Sequence, residues 1–557
     1  MRAPDSSRRL WLLAAPALFL LLFYFYPLAR ILGTSLMPEG RLRLDAFQKL
    51  CTHTYYLRIL WFTFWQAALS TLITLTAALP AAYVFARYRF AGKRLLQSFA
   101  TVPFVMPTVV VAAAFQALLG PAGVVNGTLM KWFHLAQPPI ALTHTVTFIL
   151  LAHLFFNFAV ALRIIGGYWT HLPPAMTEAA RMLGAGPLTC FRRITLPLLR
   201  PAVFGAALLI FVFCFCSFGI VLILGGPRYA TIEVAIYRQA VHLFNLPMAA
   251  ALSLVQIVIT LALMAGYTHL ARRTQLTVTP TAARVAQKPI ATAADAVIVS
   301  LVIGLMLLLL APPLLALVVR SLRVGGGWSL AFYRALAENR TQSYFFVPPV
   351  QAILNSLGFA IATLVLALGL GLLTALFLAG PRTRLAALLD PIFMLPLSTS
   401  AVTLGFGFIL ALDRPPLNLR TSLAIVPLAH CLVALPFVVR ALLPALRSIP
   451  QSLRETASLL GASPATVRRV VDLPIVGRAL LVGAVFAFTI SLGEFGATAF
   501  IARPQTPTLP VAIYRFLGQP GALNYGQAMA MSSLLMLVTT AGFLFLERFR
   551  TGTLGEF

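Results

Sequence analysis

The chain has 557 residues, of which 60% are hydrophobic and 10% charged, against about 25% charged in an ordinary soluble domain, so a soluble globular fold is excluded. Its net charge of +28, from 42 Lys and Arg against 14 Asp and Glu, would point to nucleic acid in a soluble protein. Here the basic residues stand between apolar blocks, where they mark topology and meet anionic headgroups, so the expected partner is the lipid bilayer and not nucleic acid.

The apolar blocks are about twenty residues long, the length that crosses a hydrocarbon core as helix. In chain order they predict spans near 10–28, 57–85, 97–119, 140–162, 201–224 and 248–270, then 296–319, 350–379, 386–412, 423–439, 479–501 and 529–546. Arg8 and Arg9 precede the first block and no A-x-A cleavage signal follows it, which reads as an uncleaved first span. The five cysteines (Cys51, Cys190, Cys214, Cys216, Cys431) have no C-x-x-C spacing, so neither a disulfide framework nor a zinc site is expected. The expected fold class is an all-α polytopic membrane protein of about twelve transmembrane helices. Residues 1–271 form a first domain, 272–294 a Thr, Ala and Arg-rich cytoplasmic linker, and 295–557 a second domain. Lys and Arg concentrate on the side of the termini, which places both termini in the cytoplasm.

The two halves are a repeat. An offset of 277 residues superposes Leu151-Ala152-His153 on Leu428-Ala429-His430, Arg163 on Arg440, Glu178 on Glu455, Gly184 on Gly461, Leu196-Pro197 on Leu473-Pro474 and Val234-Ala235-Ile236-Tyr237-Arg238 on Val511-Ala512-Ile513-Tyr514-Arg515. Shared His, Arg, Glu, Gly, Pro and Tyr are not a product of apolar composition. Six spans separate the copies, so the repeat is parallel, with an axis along the membrane normal.

The strongest local signal is the connection between the fourth and fifth spans of each half, Pro173 to Pro197 and Pro450 to Pro474. Each has Glu, then Gly six residues on, then Leu-Pro ending nineteen residues after the Glu. The pattern predicts two short helices with a turn between them. Pro173 and Pro450 open the first, with Glu178 and Glu455 near its positive end; Ala179, Ala180 and Ala457 leave a low surface; Gly184 and Gly461 end it. Pro187 and Pro464 suit the opening turn of the second, and Pro197 and Pro474 are expected to push the preceding leucine out of helical geometry. The product is an L-shaped docking element.

This pattern resembles the E-A-A loop of permeases in binding-protein-dependent ABC importers, written E-A-A, three residues, G, nine residues, I-x-L-P. The first copy matches throughout, with Ile194, Leu196 and Pro197 in place; the second departs at Thr456 and Val471 and keeps Leu473 and Pro474. The resemblance implies the type I importer transmembrane fold, and a coupling helix seated on a cytoplasmic ABC ATPase dimer at Glu178, Ala179, Ala180, Gly184, Glu455, Ala457 and Gly461. It also implies a periplasmic or extracellular solute-binding protein, a bacterial inner-membrane location, and one fused chain in place of a permease dimer. No G-x-x-x-x-G-K-S/T phosphate loop is present, so no catalytic residue, metal or resident cofactor is expected here and ATP falls to the partner. The chain is similar over nearly its whole length to fused permeases for iron(III), thiamine and related solutes. Phe62 to Ala67, Leu150 to Asn157, Leu209 to Arg238 and Ser491 to Ala497 with Thr508-Leu509-Pro510 are most similar to thiamine permeases, which makes thiamine the first expectation and iron(III) the alternative. A major-facilitator secondary transporter, which shares twelve spans in parallel halves, is the rival of a different class.

Glu494 is the carboxylate placed deepest in a predicted span, and its repeat mate is Ser217. Charges there usually face a cavity or a partner, so the two are candidate translocation residues; the competing reading is a hydrogen-bonded Glu at a helix break between Gly493 and Gly496. His153 and His430 read as a matched structural pair rather than metal ligands, and Asp295 and Asp390 as helix-end residues. The outer segments Thr231 to Arg238 and Thr508 to Arg515 read either as the docking surface for a solute-binding protein or as amphipathic interfacial helices.

Overall fold

The computed structural model describes residues 6–37, 41–273, 287–338, 347–380, 383–413, 415 and 417–549. Of the expected linker, 274–286 lie outside the described residues, as do 339–346 of the outer loop after the seventh span. Among the described residues, eleven helical stretches are long and apolar enough to cross a membrane. They are Trp11–Leu36, Thr54–Arg87, Thr108–Trp132, Val146–Thr170, Pro187–Phe215, Leu246–His269, Ala293–Leu322, Pro349–Ala379, Ile425–Arg447, Ala465–Gly493 and Ala522–Glu547. The pair Arg384–Ser398 and Ala401–Ala411, bent by 96°, passes the same length and hydropathy test when taken together, as a broken span or a re-entrant loop, which makes the number of crossings eleven or twelve. The chain is thus a helix-built polytopic membrane protein, with two short strand pairs among its connections.

Several spans depart from the sequence expectation where the backbone breaks. The third becomes Lys93–Val105 and Thr108–Leu119, parted at Met106-Pro107 because Pro107 disfavours helical geometry in the residue before it. The fifth ends at Phe215 instead of 224, and the eleventh at Gly493 instead of 501. Asp390 is not a helix-end residue: it lies inside Arg384–Ser398, since a proline such as Pro391 is accommodated within a membrane helix. Asp295 does stand in the first turn of its helix, where the Thr292 hydroxyl accepts from its backbone N–H at 3.1 Å.

The helix boundaries refine the repeat. Thr108 and Ala401 begin corresponding helices 293 residues apart, whereas Pro174–Met182 and Gln451–Leu459 are 277 apart. The first half therefore carries sixteen additional residues between Leu119 and Val146, and they include a helix, Val124–Trp132. Asn126 ties this insertion down: fully buried, it donates to the carbonyls of Gly120 and Ile140, each at 2.9 Å, and accepts from the Ile140 N–H at 2.9 Å.

Two compact units cut across the sequence halves. The first comprises Met1–Lys49, Ile236–Ile257 and Leu330–Phe557. Within it the first span packs against Pro349–Ala379 and Ala401–Ala411, with the Tyr24 hydroxyl 2.7 Å from Thr399 Oγ1 and Pro27 and Ile31 against Gly407. The second unit comprises Leu50–Ala235 and Val258–Ser329, and in it the seventh span, Ala293–Leu322, packs against Thr54–Arg87 and Thr108–Leu119. Each six-span half thus lends its first helix to the other half's packing unit. In the second unit the end of the linker is also fastened: Lys288-Pro289 pairs as a parallel strand with Tyr88-Arg89, and Asp295 accepts from the Tyr88 hydroxyl at 2.6 Å and from Lys288 at 3.0 Å.

Candidate functional site

The two Glu-to-Pro loops fold alike. Pro174–Met182 and Gln451–Leu459 are the expected first helices, nine residues each. Both end in the same cap. Gly184 and Gly461 have φ of +82°, the left-handed conformation glycine adopts without penalty. The Gly184 N–H donates to the Arg181 carbonyl at 2.9 Å and Ala185 N–H to Ala180 at 3.0 Å; Gly461 donates to Ser458 at 3.1 Å and Ala462 to Ala457 at 3.0 Å. This paired closure satisfies the last carbonyls of each helix. It also gives the second alanine of the motif a place, since Ala180 and Ala457 are the carbonyl acceptors four residues before the capping glycine.

Two expectations about these loops are corrected. Glu178 and Glu455 are the fifth residues of their helices, beyond the first turn where the helix dipole acts. Both are exposed, and Glu455 accepts from Gln451 Nε2 at 2.8 Å. Leu196 stays helical at φ −64°, so Leu-Pro does not end the second helix. Helix runs without interruption from Pro187 through Phe215, with a π turn at Phe191–Thr195 in which the Leu196 N–H reaches back to the Phe191 carbonyl. A π turn just ahead of Pro197 widens the helix where the ring would otherwise crowd a carbonyl. The second loop repeats this at Arg468–Asp472 before Leu473-Pro474. Each loop is therefore joined to its span by continuous helix.

Of the motif residues, Ala179 and Gly184 are exposed, Ala180, Ile194, Leu196, Pro197 and Ala457 half-buried, and Gly461, Leu473 and Pro474 exposed. The sequence reading missed what stands between them. Met182 and Leu183 are 89% and 88% exposed, and their repeat mates Leu459 and Leu460 are 88% and 83% exposed. Each loop thus presents a pair of adjacent, exposed apolar side chains at its tip. The signal was an apolar pair immediately before each motif glycine. In the second loop Arg454 Nε donates to Asp472 Oδ1 at 2.8 Å, an ion pair at positions where the first loop has Thr177 and Thr195. Asp472→Asn should cost only about 0.5 kcal/mol, as for other half-exposed pairs, and hydrogen exchange over 451–472 should quicken while 174–195 is unchanged. Gly184→Ala, strained at positive φ by about 1 kcal/mol, should quicken exchange over 174–190 about fivefold.

The second feature lies at the breaks that follow the fifth and eleventh spans. Glu494 caps the helix end and is 8% exposed. Its Oε1 accepts from the Ala497 N–H at 3.1 Å and its Oε2 from the Thr498 N–H at 3.1 Å and the Thr498 hydroxyl at 2.8 Å. His430, fully buried, is bonded through Nε2 to Thr498 Oγ1 at 2.7 Å and through Nδ1 to Ser491 Oγ at 2.8 Å, and Ser491 meets Thr363 at 3.2 Å. The other half carries the same imidazole at its own break: His153 Nε2 is 2.8 Å from Ser217 Oγ and Nδ1 is 3.0 Å from Ser70 Oγ. Each histidine thus ties its span to the break, with Ser217 and Glu494 in matching places. A buried carboxylate is retained only when its acceptors are filled, and here the backbone of the following turn fills them. Ser70, Thr363 and Thr498 were missed because hydroxyls in apolar spans have no motif.

The break is also tightly covered. A Cβ on Gly405 would lie 2.7 Å from the Ala497 Cα and carbonyl oxygen, so Gly405→Ala should destabilise by about 2 kcal/mol, read as a fall in the unfolding midpoint in detergent. The segments Thr231 to Arg238 and Thr508 to Arg515 are short helices buried among apolar side chains, with Ile232, Val234, Ile236 and Ile513 at 0%. They offer neither an outer docking surface nor an interfacial helix in this conformation, because their apolar residues face protein on every side. Glu233, within the first of these helices, is 1% exposed, a second buried carboxylate that sequence reading passed over.

Comparison with known proteins adds the family. Residues 75–276 match the model of the binding-protein-dependent transport system inner membrane component. A thiamine transport system permease protein of Brucella abortus (strain 2308) is 30% identical over 84% of this chain and 83% of its own. The thiamine transport system permease protein of Escherichia coli (strain K12) is 29% identical over 85% of this chain and 86% of its own. Such similarity, spanning both halves, excludes the major-facilitator alternative: the chain belongs to the permeases of binding-protein-dependent ABC importers, as a fused protein carrying both permease halves.

Proposed function

We propose that this permease moves thiamine, delivered by an external solute-binding protein, into the cytoplasm, driven by a cytoplasmic ABC ATPase dimer that seats on 173–197 and 450–474. The observation that carries the coupling is the pair of matched loops, each capped at φ +82° and each presenting two exposed apolar residues. Continuous helix from each loop into its span gives a rigid lever, so displacement of the loop by the ATPase moves the fifth and eleventh spans. Two loops in one chain serve the two ATPase subunits, and ATP is held by those subunits. With an ATPase on that side, both termini and the linker are cytoplasmic and the chain lies in the bacterial inner membrane.

Thiamine is supported by the relatives that bear its name and cover more than four fifths of this chain. Glu494 and Ser217 occupy equivalent breaks, and a carboxylate at one of them suits a cationic solute. Proteoliposomes holding the permease with its ATPase, supplied with the binding protein, should take up radiolabelled thiamine in an ATP-dependent, saturable manner. Uptake of ferric ion without thiamine would instead assign the iron(III) alternative.

A further inference from the structure

A cleft of about 360 Å³ opens where the second span gives way to the third, lined by Arg89, Phe90, Gly92, Lys93 and Arg94. Three of its five lining residues are cationic. Lys93 is half-buried and its ammonium donates to the Tyr88 carbonyl at 2.9 Å, which holds it at the cleft beside the Phe90 ring, 6.0 Å away. The carboxylate on the neighbouring seventh span, Asp295, is engaged by the Tyr88 hydroxyl and neutralised by Lys288. Next to the cations, Leu95 is 74% exposed at the start of Lys93–Val105, and the cleft wall includes Phe90. The surface is therefore amphiphilic: cations for a phosphate, apolar side chains for what is attached to it.

We infer that this cleft binds the phosphodiester headgroup of an anionic membrane lipid, with Arg89, Lys93 and Arg94 on the phosphate and Leu95 and Phe90 against the glycerol and upper acyl chain. Basic pockets at the ends of membrane helices bind such headgroups, each cation near the surface being worth several-fold in affinity. The cleft lies next to the Tyr88–Lys288 strand pair, so an occupying lipid would brace the point where the linker rejoins the second unit.

The test is thermal unfolding of the full chain in detergent titrated with phosphatidylglycerol, phosphatidylcholine or inorganic phosphate, with native mass spectrometry of retained lipid. Phosphatidylglycerol should raise the midpoint saturably, and Lys93→Gln with Arg94→Gln should weaken its half-effect concentration by roughly tenfold or more and abolish the retained lipid. Arg94→Gln alone, at an exposed position, should weaken it about threefold and serves if the double variant fails to fold. An equal response to phosphatidylcholine, or an unchanged response in the folded variants, overturns the assignment. Saturation by inorganic phosphate in place of the lipid would reassign the cleft to a free anion and overturn it as well.

Discussion

Replacing Leu183 and Leu460 together by serine should detach the ATPase during purification and reduce ATP-driven uptake at least tenfold, with little change in the unfolding midpoint of the chain alone. At 88% and 83% exposure these side chains bury almost nothing within the described structure, and surface substitutions of this kind cost a folded chain within about 0.5 kcal/mol. On a partner the balance differs. Each leucine withdrawn from a covered interface forfeits about 1.5–3 kcal/mol, so two together lower affinity by roughly two to four orders of magnitude. Co-purification and uptake in proteoliposomes report the loss, and calorimetry of the chain alone reports the control. Unimpaired co-purification and uptake would remove the loop tips from the docking surface. Single variants separate the two copies: if each loop serves one ATPase subunit, Leu183→Ser and Leu460→Ser should each weaken retention.

Glu494→Ala should destabilise the chain by about 3 kcal/mol and abolish uptake. The carboxylate accepts from two backbone N–H groups and one hydroxyl in a buried turn. Truncation leaves those donors unfilled at about 1–3 kcal/mol for each. Glu494→Gln keeps one carbonyl oxygen and the side-chain volume, so it isolates charge from shape. Near-normal stability with uptake lost would show that the negative charge itself serves transport; stability and uptake both near normal would assign Glu494 to fixing the helix break. Ser217→Ala in the other half removes a single hydrogen bond to His153, at 2.8 Å, and should cost about 1 kcal/mol. The unfolding midpoint and thiamine uptake, measured on the three variants together, separate these roles.

Much of the architecture was written in local pattern. Blocks of about twenty apolar residues specify spans because an unsatisfied backbone cannot lie in lipid, and the 277-residue offset that aligns Glu178 with Glu455 survives as two loops with helices of equal length and the same cap. The cap at Gly184 was legible because a positive φ has one common solution in sequence. The continuation of helix through Leu196-Pro197 was not, because a proline's effect depends on whether the preceding turn can widen into π geometry. The break at Met106-Pro107 inside the third span and the early ends of the fifth and eleventh spans at Phe215 and Gly493 were not legible for a similar reason: hydropathy sees apolar length and is blind to a turn whose polar groups are met inside the protein.

Sequence alone settled that this is a two-half, helix-built membrane protein with two matched Glu-to-Pro loops, since periodicity, composition and the spacing of Glu, Gly and Leu-Pro are local patterns of the chain. Tertiary structure alone decided which helix lies against which. The first span packs among helices of the second half and the seventh among those of the first, an exchange that leaves no trace in hydropathy because every partner is equally apolar. The same holds for the breaks. Ser70, His153 and Ser217 are 83 and 64 residues apart in pairs, and His430 reaches Thr498 across 68; a hydrogen bond between distant spans is fixed by packing geometry, to which no local preference of either residue points.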